Sequence, residues 1–227
     1  MKPYELSASL ICADLLNIGH EIKEIERAGV DRIHFDVMDG VFVPRYGLFP
    51  EVLAGVTSST KLPVEVHMMV TNPEPYIPDF AKAGAESIYV HVEGNNHLHR
   101  TLQMIRQHGV KAGVVYNPAT PFCGLEYILP FIDGIMLMAI NPGIVGHKII
   151  PQVYDKIREL KSHLVEYPDV KIMIDGGVAH QTAAQMVQNG ADILVCGTSS
   201  IYRPKEGTLD VTTKRFRDAI DQVLTQS

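Results

Sequence analysis

The sequence is poor in cysteine: Cys12, Cys123 and Cys196 are its three cysteines among 227 residues. Their number is odd, they lie far apart along the chain, and no two have the short spacing of a metal-binding motif. This usage does not suit a disulfide framework or a cysteine metal site. It indicates reduced thiols, and we therefore expect a cytoplasmic protein.

Long apolar runs and a positive net charge are also missing. No apolar stretch is long enough to span a bilayer, and the first residues, Met1–Glu5, contain no apolar signal core. The formal net charge is -6, whereas a nucleic-acid-binding protein presents a basic face. We therefore expect neither a membrane nor a nucleic acid as a partner.

What the sequence does contain is a regular alternation of strand-like and helix-like segments. The predicted strands are Leu6–Leu10, Arg32–Asp36, Val64–Met69, Ser87–His91, Lys111–Val115, Gly134–Met138, Lys171–Ile174 and Ile193–Cys196. The predicted helices are Asn17–Arg27, Pro50–Val56, Pro73–Ala83, His97–His108, Phe122–Leu129, Gln152–Tyr167, Gln181–Val187 and Leu209–Leu224. Eight such units favour a single (β/α)8 TIM barrel over residues 1–227, with an open doubly wound sheet as the alternative.

Two histidines and two aspartates lie where predicted strands end. His34 and Asp36 close the second strand, His67 lies near the end of the third, and Asp175 directly follows the seventh. Side chains two residues apart in a strand point to the same face, so His34 and Asp36 project together. In such barrels the carboxyl ends of the strands form the active face. Two imidazoles and two carboxylates suit one divalent ion such as zinc, manganese, iron or cobalt.

Each of these four residues has a simpler explanation when it is taken alone. A lone strand histidine is more often a hydrogen-bonded interior residue, Asp36 can simply end its strand, and Asp175 can be a turn residue. Their convergence on one face favours a site. His91 and Glu93 have the same spacing as His34 and Asp36, but four ligands already fill a tetrahedral shell. We therefore assign His91 a supporting or pocket-lining role.

Asp36 and Asp175 are predicted to approach one site from opposite sides. Moving a proton between the two faces of a carbon needs an ionised base and a protonated acid. A metal and mutual coupling can separate the titrations of two neighbouring carboxyls. The pair therefore predicts acid/base catalysis at a carbon centre.

Glycine-rich turns follow the last three predicted strands, where barrels frequently bind phosphate through backbone N–H groups. These turns are Asn141–Gly146, Asp175–Val178 and Cys196–Ser200. Ordinary tight turns are the alternative. Met38, Met69 and Met138 fall at or just beyond strand ends on the same face. Methionine usually fills gaps in a core, but beside a metal it would form an apolar collar that excludes water.

The chain resembles the ribulose-phosphate 3-epimerase family from about Leu6 to about Tyr202. The matching segments are Ser9, His34–Gly40 with Phe42–Pro44, His67–Met69, Pro73–Glu74 with Tyr76–Ile77, His91–Glu93, Asn117–Pro121, Met138 with Asn141–Gly143, Asp175–Gly177 and Gly197. The resemblance implies a metal-dependent barrel that inverts C3 of a phosphorylated ketose. By position, it implies the ligands His34, Asp36, His67 and Asp175, with the two aspartates as the acid/base pair. Ser9 and His67 would contact the substrate, and its phosphate would be surrounded by Gly143, Gly146, Gly176, Gly177, Gly197 and Thr198.

Three segments depart from the family pattern. The loop after the second strand reads Arg45–Pro50, where the family usually has Asn, Thr and a Gly-Pro or Ser-Pro pair. The loop after the sixth strand reads Ile144–Lys148, without the usual aromatic residue and final Gly-Gln. Met173 stands where a glutamate is usual. The changes add Arg45, His147 and Lys148 to loops of the active face, and they bear on the identity of the sugar.

The expected reaction converts D-ribulose 5-phosphate to D-xylulose 5-phosphate through an enediolate, in a homo-oligomer that needs one divalent metal ion and no organic cofactor. D-Allulose 6-phosphate and D-fructose 6-phosphate form the alternative pair, because Ser9–Leu16 also resembles allulose-6-phosphate 3-epimerases. A phosphosugar decarboxylase would need a lysine two residues after Asp36, where this chain has Met38. A catalytically silent sugar-phosphate-binding relative is the remaining alternative.

Overall fold

Eight parallel strands close into a barrel in chain order in the computed structural model, which describes residues 3–143 and 148–226. The strands are β1 Glu5–Ser9, β2 Arg32–Met38, β3 Val64–Met69, β4 Ser87–His91, β5 Lys111–Tyr116, β6 Gly134–Met138, β7 Lys171–Asp175 and β8 Ile193–Cys196. Pairing of β8 with β1 completes the ring. The predicted (β/α)8 barrel is confirmed, and the alternative of an open doubly wound sheet is wrong. The extent of one domain over residues 1–227 stays a prediction.

Seven α-helices surround the barrel in the described part of the chain. They are α1 Ile18–Arg27, α2 Pro50–Ser59, α3 Ile77–Lys82, α4 Leu98–Gln107, α5 Val153–His163, α6 Ala183–Gln188 and α7 Leu209–Leu224. Their apolar faces turn inward: α1, for example, buries Ile22 and Ile25. Each of these helices overlaps a predicted one, and the differences lie at the ends, where sequence signals are weakest.

The helix predicted at Phe122–Leu129 is wrong. The structure has two short 3₁₀ helices there, Leu125–Tyr127 and Leu129–Phe131. Gly124 adopts a left-handed conformation with φ of 77° immediately before the first of them, and a residue in that conformation cannot continue an α-helix. Pro130 has no backbone N–H to donate and favours a helix start over a helix interior.

The register of the strands brings the predicted site residues together. Asp36 of β2 is paired with His67 of β3, and Ser9 of β1 is paired with His34. In a parallel sheet, paired residues share one face, so these side chains all point into the barrel. Asp175 ends β7 and reaches the same space from the far side of the ring.

Beneath the site, the barrel is filled by apolar side chains. A buried cluster inside the ring contains Tyr89, Val115, Met136, Met173 and Ile193, with Met138 and Val195 above them. Met173 is fully buried, so this position belongs to the apolar interior and not to the polar site. Among the described residues, no helix combines the length and the apolar character that crossing a bilayer requires.

Candidate active site and metal centre

Four side-chain atoms form a compact cluster at the carboxyl ends of β2, β3 and β7. His34 Nε2 lies 3.2 Å from Asp36 Oδ1 and 3.9 Å from Asp175 Oδ2. His67 Nδ1 lies 3.3 Å from the same Asp36 oxygen and 3.4 Å from the same Asp175 oxygen. The two imidazoles therefore alternate with the two carboxylates around one small space.

The size and chemistry of this cluster fit a divalent ion. All four donor atoms lie within 4.8 Å of one another, and ligands held tetrahedrally at about 2.0–2.1 Å from a metal lie about 3.3 Å apart. His67 Nδ1 is buried and has no hydrogen-bond partner in the described part of the chain. A buried polar atom without a partner is costly, and a bound cation would give this nitrogen a ligand bond.

His34 is held from behind by a buried carboxylate. Its Nδ1 lies 3.1 Å from Glu65 Oε1, and Glu65 is fully buried. The same Glu65 oxygen accepts a hydrogen bond of 2.7 Å from the Ser7 hydroxyl, and the other pairs with Arg32 at 3.1 Å. Donation of the Nδ1 hydrogen to Glu65 leaves the lone pair of Nε2 directed at the cluster.

His67 is held by a second histidine. Its Nε2 lies 2.9 Å from His91 Nε2, and His91 Nδ1 lies 3.1 Å from Glu93 Oε2. Burial lowers the pKa of His91 to about 4, although Glu93 acts in the opposite direction. Burial works against ionisation of Glu93, but hydrogen bonds from His91, Thr120 and the Asn117 N–H hold the pKa of its carboxyl at about 2.

The charges of the cluster depend strongly on one another. Burial raises the pKa of Asp36, but His34 and His67 outweigh this and keep it well below its usual value. Burial lowers the pKa of both histidines, but the neighbouring carboxylates outweigh it and raise both. Ser9 adds a hydrogen bond of 3.1 Å from its hydroxyl to Asp36 Oδ2. The site therefore favours the ionised form of Asp36 and attracts positive charge.

The cluster opens into a cavity at the mouth of the barrel. The predicted site residues that line this cavity are Ser9, Asp36, Met38, Met69, Met138, Gly143, Asp175, Gly176, Gly177, Gly197 and Thr198. His34 and His67 are fully buried behind it. The side chain of Asp175 is 17% exposed and that of Asp36 is 9% exposed, so a molecule in the cavity can reach both carboxylates.

The glycine turns form the side of the cavity opposite the histidines. Gly176 has φ of 86°, and a Cβ there would lie 2.3 Å from Ile140 Cγ1. Gly143 has φ of 79°, and a Cβ there would lie 2.4 Å from Val43 Cβ. Left-handed backbone and close approach both require glycine at these positions. The tight packing brings bare backbone to the cavity wall.

The three methionines form the apolar part of the cavity wall. Met38 and Met69 pack with Val43 and with the partly buried Ile11 and Phe42. Met138 caps the apolar cluster inside the ring. All three methionines are less than a tenth exposed. They belong to the core, as methionine usually does, and they also face the cavity.

The residues that the altered loops add do not all line the cavity in the described part of the chain. Arg45 lines it and is partly buried. Lys148 is exposed and does not belong to its lining. Gly146 and His147 lie outside the described residues, so their predicted roles stay predictions.

Glu65 is the site residue that sequence reasoning missed. It lies two residues before His67 on the same face of β3. All the other residues of β3 are apolar. A buried charge needs a partner, and Arg32 on the neighbouring strand supplies one. An acidic residue inside an apolar strand was the available signal.

Solved structures confirm the fold. KGPDC from Streptococcus mutans superimposes with a TM-score of 0.77 at 12% identity, covering 97% of this chain and 99% of that one. A tryptophan synthase alpha-subunit mutant from Pyrococcus furiosus gives a TM-score of 0.66 at 14% identity, covering 98% and 97%. At such low identity the likeness concerns the barrel alone.

Sequence comparison adds the family. The sequence model of the ribulose-phosphate 3 epimerase family matches residues 5–202. Ribulose-phosphate 3-epimerase of Bacillus subtilis (strain 168) is 45% identical over 200 residues, which are 87% of this chain and 92% of that protein. The enzyme of the same name from Escherichia coli (strain K12) is 39% identical over 206 residues, covering 90% and 92%. The chain belongs to the ribulose-phosphate 3-epimerase family.

Proposed function

We propose that the chain, an enzyme of the ribulose-phosphate 3-epimerase type, interconverts D-ribulose 5-phosphate and D-xylulose 5-phosphate. The observation that carries the proposal is the pair of carboxylates, Asp36 and Asp175, facing one cavity beside two buried histidines. One divalent ion would be held by these two aspartates with His34 and His67. The relatives named ribulose-phosphate 3-epimerase support this reaction over other ketose phosphates.

The ligand set suits zinc, manganese, iron or cobalt. When bound, such an ion supplies Lewis-acid stabilisation for the negative charge that develops on the substrate oxygens as the C3 proton leaves. No organic cofactor is needed for proton transfer next to a carbonyl group.

The two aspartates move the proton. Asp36 and Asp175 reach the cavity from strands that are not neighbours in the ring, so they can address opposite faces of a planar intermediate. The ionised carboxylate removes the C3 proton, and the protonated carboxyl delivers its own proton to the other face. The reaction leaves the two protonation states exchanged. The same pair, with its roles reversed, then catalyses the reverse reaction.

The remaining cavity residues hold the substrate and exclude water. Backbone N–H groups of the turns at Gly143, Gly176, Gly177, Gly197 and Thr198 would bind the phosphate, as such turns do in other barrels. Met38, Met69 and Met138 would cover the planar part of the sugar. Ser9 would contact the substrate while its hydroxyl holds Asp36 in place.

A hexulose phosphate is the second candidate substrate, and Arg45 favours it. Arg45 lines the cavity, and within residues 3–143 and 148–226 its guanidinium has no ion pair or side-chain hydrogen bond. A free cation there could hold the extra hydroxyl or the more distant phosphate of D-allulose 6-phosphate or D-fructose 6-phosphate.

A panel of ketose phosphates tests both candidates. The protein is stripped with a chelator, reloaded separately with zinc, manganese, iron or cobalt, and assayed with each sugar phosphate. We expect about one ion per chain, activity that depends on it, and a higher kcat/KM for D-ribulose 5-phosphate than for D-allulose 6-phosphate. A reversed preference would support the hexulose. Protein that neither binds metal nor turns over any member of the panel would overturn the proposal.

We also propose a homo-oligomer located in the cytoplasm. The loops that follow β1 and β2 expose large apolar side chains, Leu16 at 94% and Tyr46 at 80%, which a second copy of the chain would cover. All three cysteines are free thiols, which suits a reducing compartment. Light scattering during size-exclusion chromatography tests the first proposal, since a mass of one chain would contradict it.

A further inference from the structure

His91 lies behind His67, on the side of that ring away from the two aspartates. The two ring centroids are 5.1 Å apart and the rings are inclined by 25°. His91 is 1% exposed, and Phe42 packs on its ring at a centroid distance of 4.5 Å. The orientation of His91 is therefore fixed by packing on one side and by His67 on the other.

A hydrogen bond between two imidazole nitrogens contains one hydrogen, and its position determines both tautomers. His67 Nε2 and His91 Nε2 are 2.9 Å apart. If His67 carries the hydrogen on Nε2, its Nδ1 keeps a free lone pair beside Asp36 and Asp175. If His91 carries it, a neutral His67 must place its hydrogen on Nδ1, inside the cluster, and cannot bind a metal there.

Glu93 selects between these two arrangements. Its Oε2 lies 3.1 Å from His91 Nδ1, and an ionised carboxylate can only accept a hydrogen bond. Glu93 is itself held by a hydrogen bond of 2.8 Å from the Asn117 N–H and by one from the Thr120 hydroxyl. The hydrogen of a neutral His91 is therefore drawn to Nδ1, and its Nε2 becomes an acceptor.

We infer that Glu93 and His91 form a relay that positions His67 for metal binding. Glu93 accepts a hydrogen from His91 Nδ1, His91 Nε2 accepts one from His67 Nε2, and His67 Nδ1 is left free to face the cluster. Both are positioning residues, since neither lines the cavity. The inference rests on the proposed metal site.

Two substitutions of His91 separate the relay from simple packing. His91→Phe keeps a ring of similar size against Phe42 but cannot accept a hydrogen bond. His91→Gln loses the ring but places an amide oxygen near the position of Nε2. Zinc affinity is measured by competition with a chromogenic chelator. ¹⁵N NMR of the zinc-loaded protein reports which nitrogen of His67 carries the hydrogen. Circular dichroism checks that each variant is folded.

We expect His91→Phe to weaken zinc binding roughly 10–100-fold, as loss of a group supporting a metal ligand typically does. His91→Gln should retain affinity within about threefold of the unaltered chain, because its oxygen accepts the same hydrogen bond. NMR of the unaltered chain should show hydrogen on Nε2 of His67 and on Nδ1 of His91. Glu93→Gln should weaken binding less than His91→Phe, since an amide oxygen can still accept from His91.

Each contrary result points to a different failure. Zinc bound equally well by His91→Phe and the unaltered chain would overturn the relay and leave the metal site standing. Equal losses of zinc affinity in His91→Phe and His91→Gln would overturn the relay, because they would show that ring packing matters and hydrogen-bond acceptance does not. If the unaltered chain binds no zinc, manganese or cobalt, the proposed metal site fails, and the relay fails with it.

Discussion

The two sides of the barrel mouth are built differently. Strands β2, β3 and β4 supply buried polar side chains, and His34, His67 and His91 each contact a further polar group behind the cavity. Strands β6, β7 and β8 supply Met138, Asp175 and turns of bare backbone. The first side holds its side-chain atoms in place through hydrogen bonds. The second side forms its surface largely from backbone, with few side chains held by hydrogen bonds.

Under the proposed function, the two sides would have different tasks. Metal binding and proton transfer need preorganised side chains, because misplaced ligands or bases lose most of their effect. Phosphate and sugar binding can rely on backbone N–H groups and apolar contact, which tolerate changes in the surrounding loops. Substitutions on the side of β2 to β4 should therefore change metal affinity and kcat, whereas those on the opposite side should mainly change KM.

Asp175 is the exception to this division, and its substitution should have the largest effect. It extends from β7 but completes the cluster of β2 and β3. Asp175→Asn should lower kcat about 100-fold or more, because a positioned acid or base contributes on that scale. Kinetics are measured alongside metal content. Near-normal epimerisation by a metal-loaded Asp175→Asn variant would contradict the two-aspartate mechanism.

Asp36→Asn should lower kcat by a similar factor, but for a different reason. Asp36 accepts contacts from His34, His67 and Ser9, so the change disturbs the cluster as well as the proton transfer. Metal content should therefore fall in this variant.

Glu65→Gln should have the next largest effect, on metal affinity. The amide can still contact His34 Nδ1, but it removes the buried negative charge that pairs with Arg32. We expect a loss of roughly 10–100-fold in zinc affinity. Glu86→Gln is the matched control, because Glu86 also lies near Arg32, at 3.6 Å, and is 28% exposed. Equal zinc affinities of the two variants would show that the buried negative charge of Glu65 does not support the metal site.

Gly143→Ala tests the backbone side of the mouth. The new Cβ would overlap Val43, and the positive φ of 79° would be strained, at a cost of about 1–3 kcal/mol. Displacement of the backbone N–H groups should cost about 1.4 kcal/mol of phosphate binding, or a rise of about tenfold in KM for the ketose phosphate, with metal affinity unchanged. Gly55→Ala, in helix α2 with open space around the new Cβ, is the control and should leave both values as they are. A fall in metal affinity in Gly143→Ala would argue against the division into two sides.

Arg45→Asn should give the smallest effect. Arg45 is only partly buried, so its contact with substrate is weakened by solvent and contributes about 1 kcal/mol, or roughly fivefold in affinity. If Arg45 favours the longer sugar, the variant should shift the ratio of hexulose to pentulose phosphate activity towards the pentulose. Competition between the two substrates measures this ratio. An unchanged ratio would remove the observation that favours the hexulose.

The sequence revealed the four residues of the cluster but not every group that supports them. His34, Asp36, His67 and Asp175 were predictable because strand periodicity and the common active face of a barrel place them together. The broken fifth helix was not, because its apolar spacing is helical and the left-handed turn at Gly124 overrides it. Glu65 escaped notice because its partner, Arg32, becomes a neighbour only when β2 and β3 pair.

In the proposed reaction Asp36 and Asp175 act on opposite faces of C3, where one removes the C3 proton and the other delivers a new one. Conversion of D-ribulose 5-phosphate in D₂O by the metal-loaded protein, followed by proton NMR of the product, shows where the new proton comes from. The acid that delivers the new proton exchanges with solvent, so we predict D-xylulose 5-phosphate with deuterium at C3. Asp175→Asn should form little of this product. D-Xylulose 5-phosphate that retains the original hydrogen at C3 would contradict the two-aspartate mechanism.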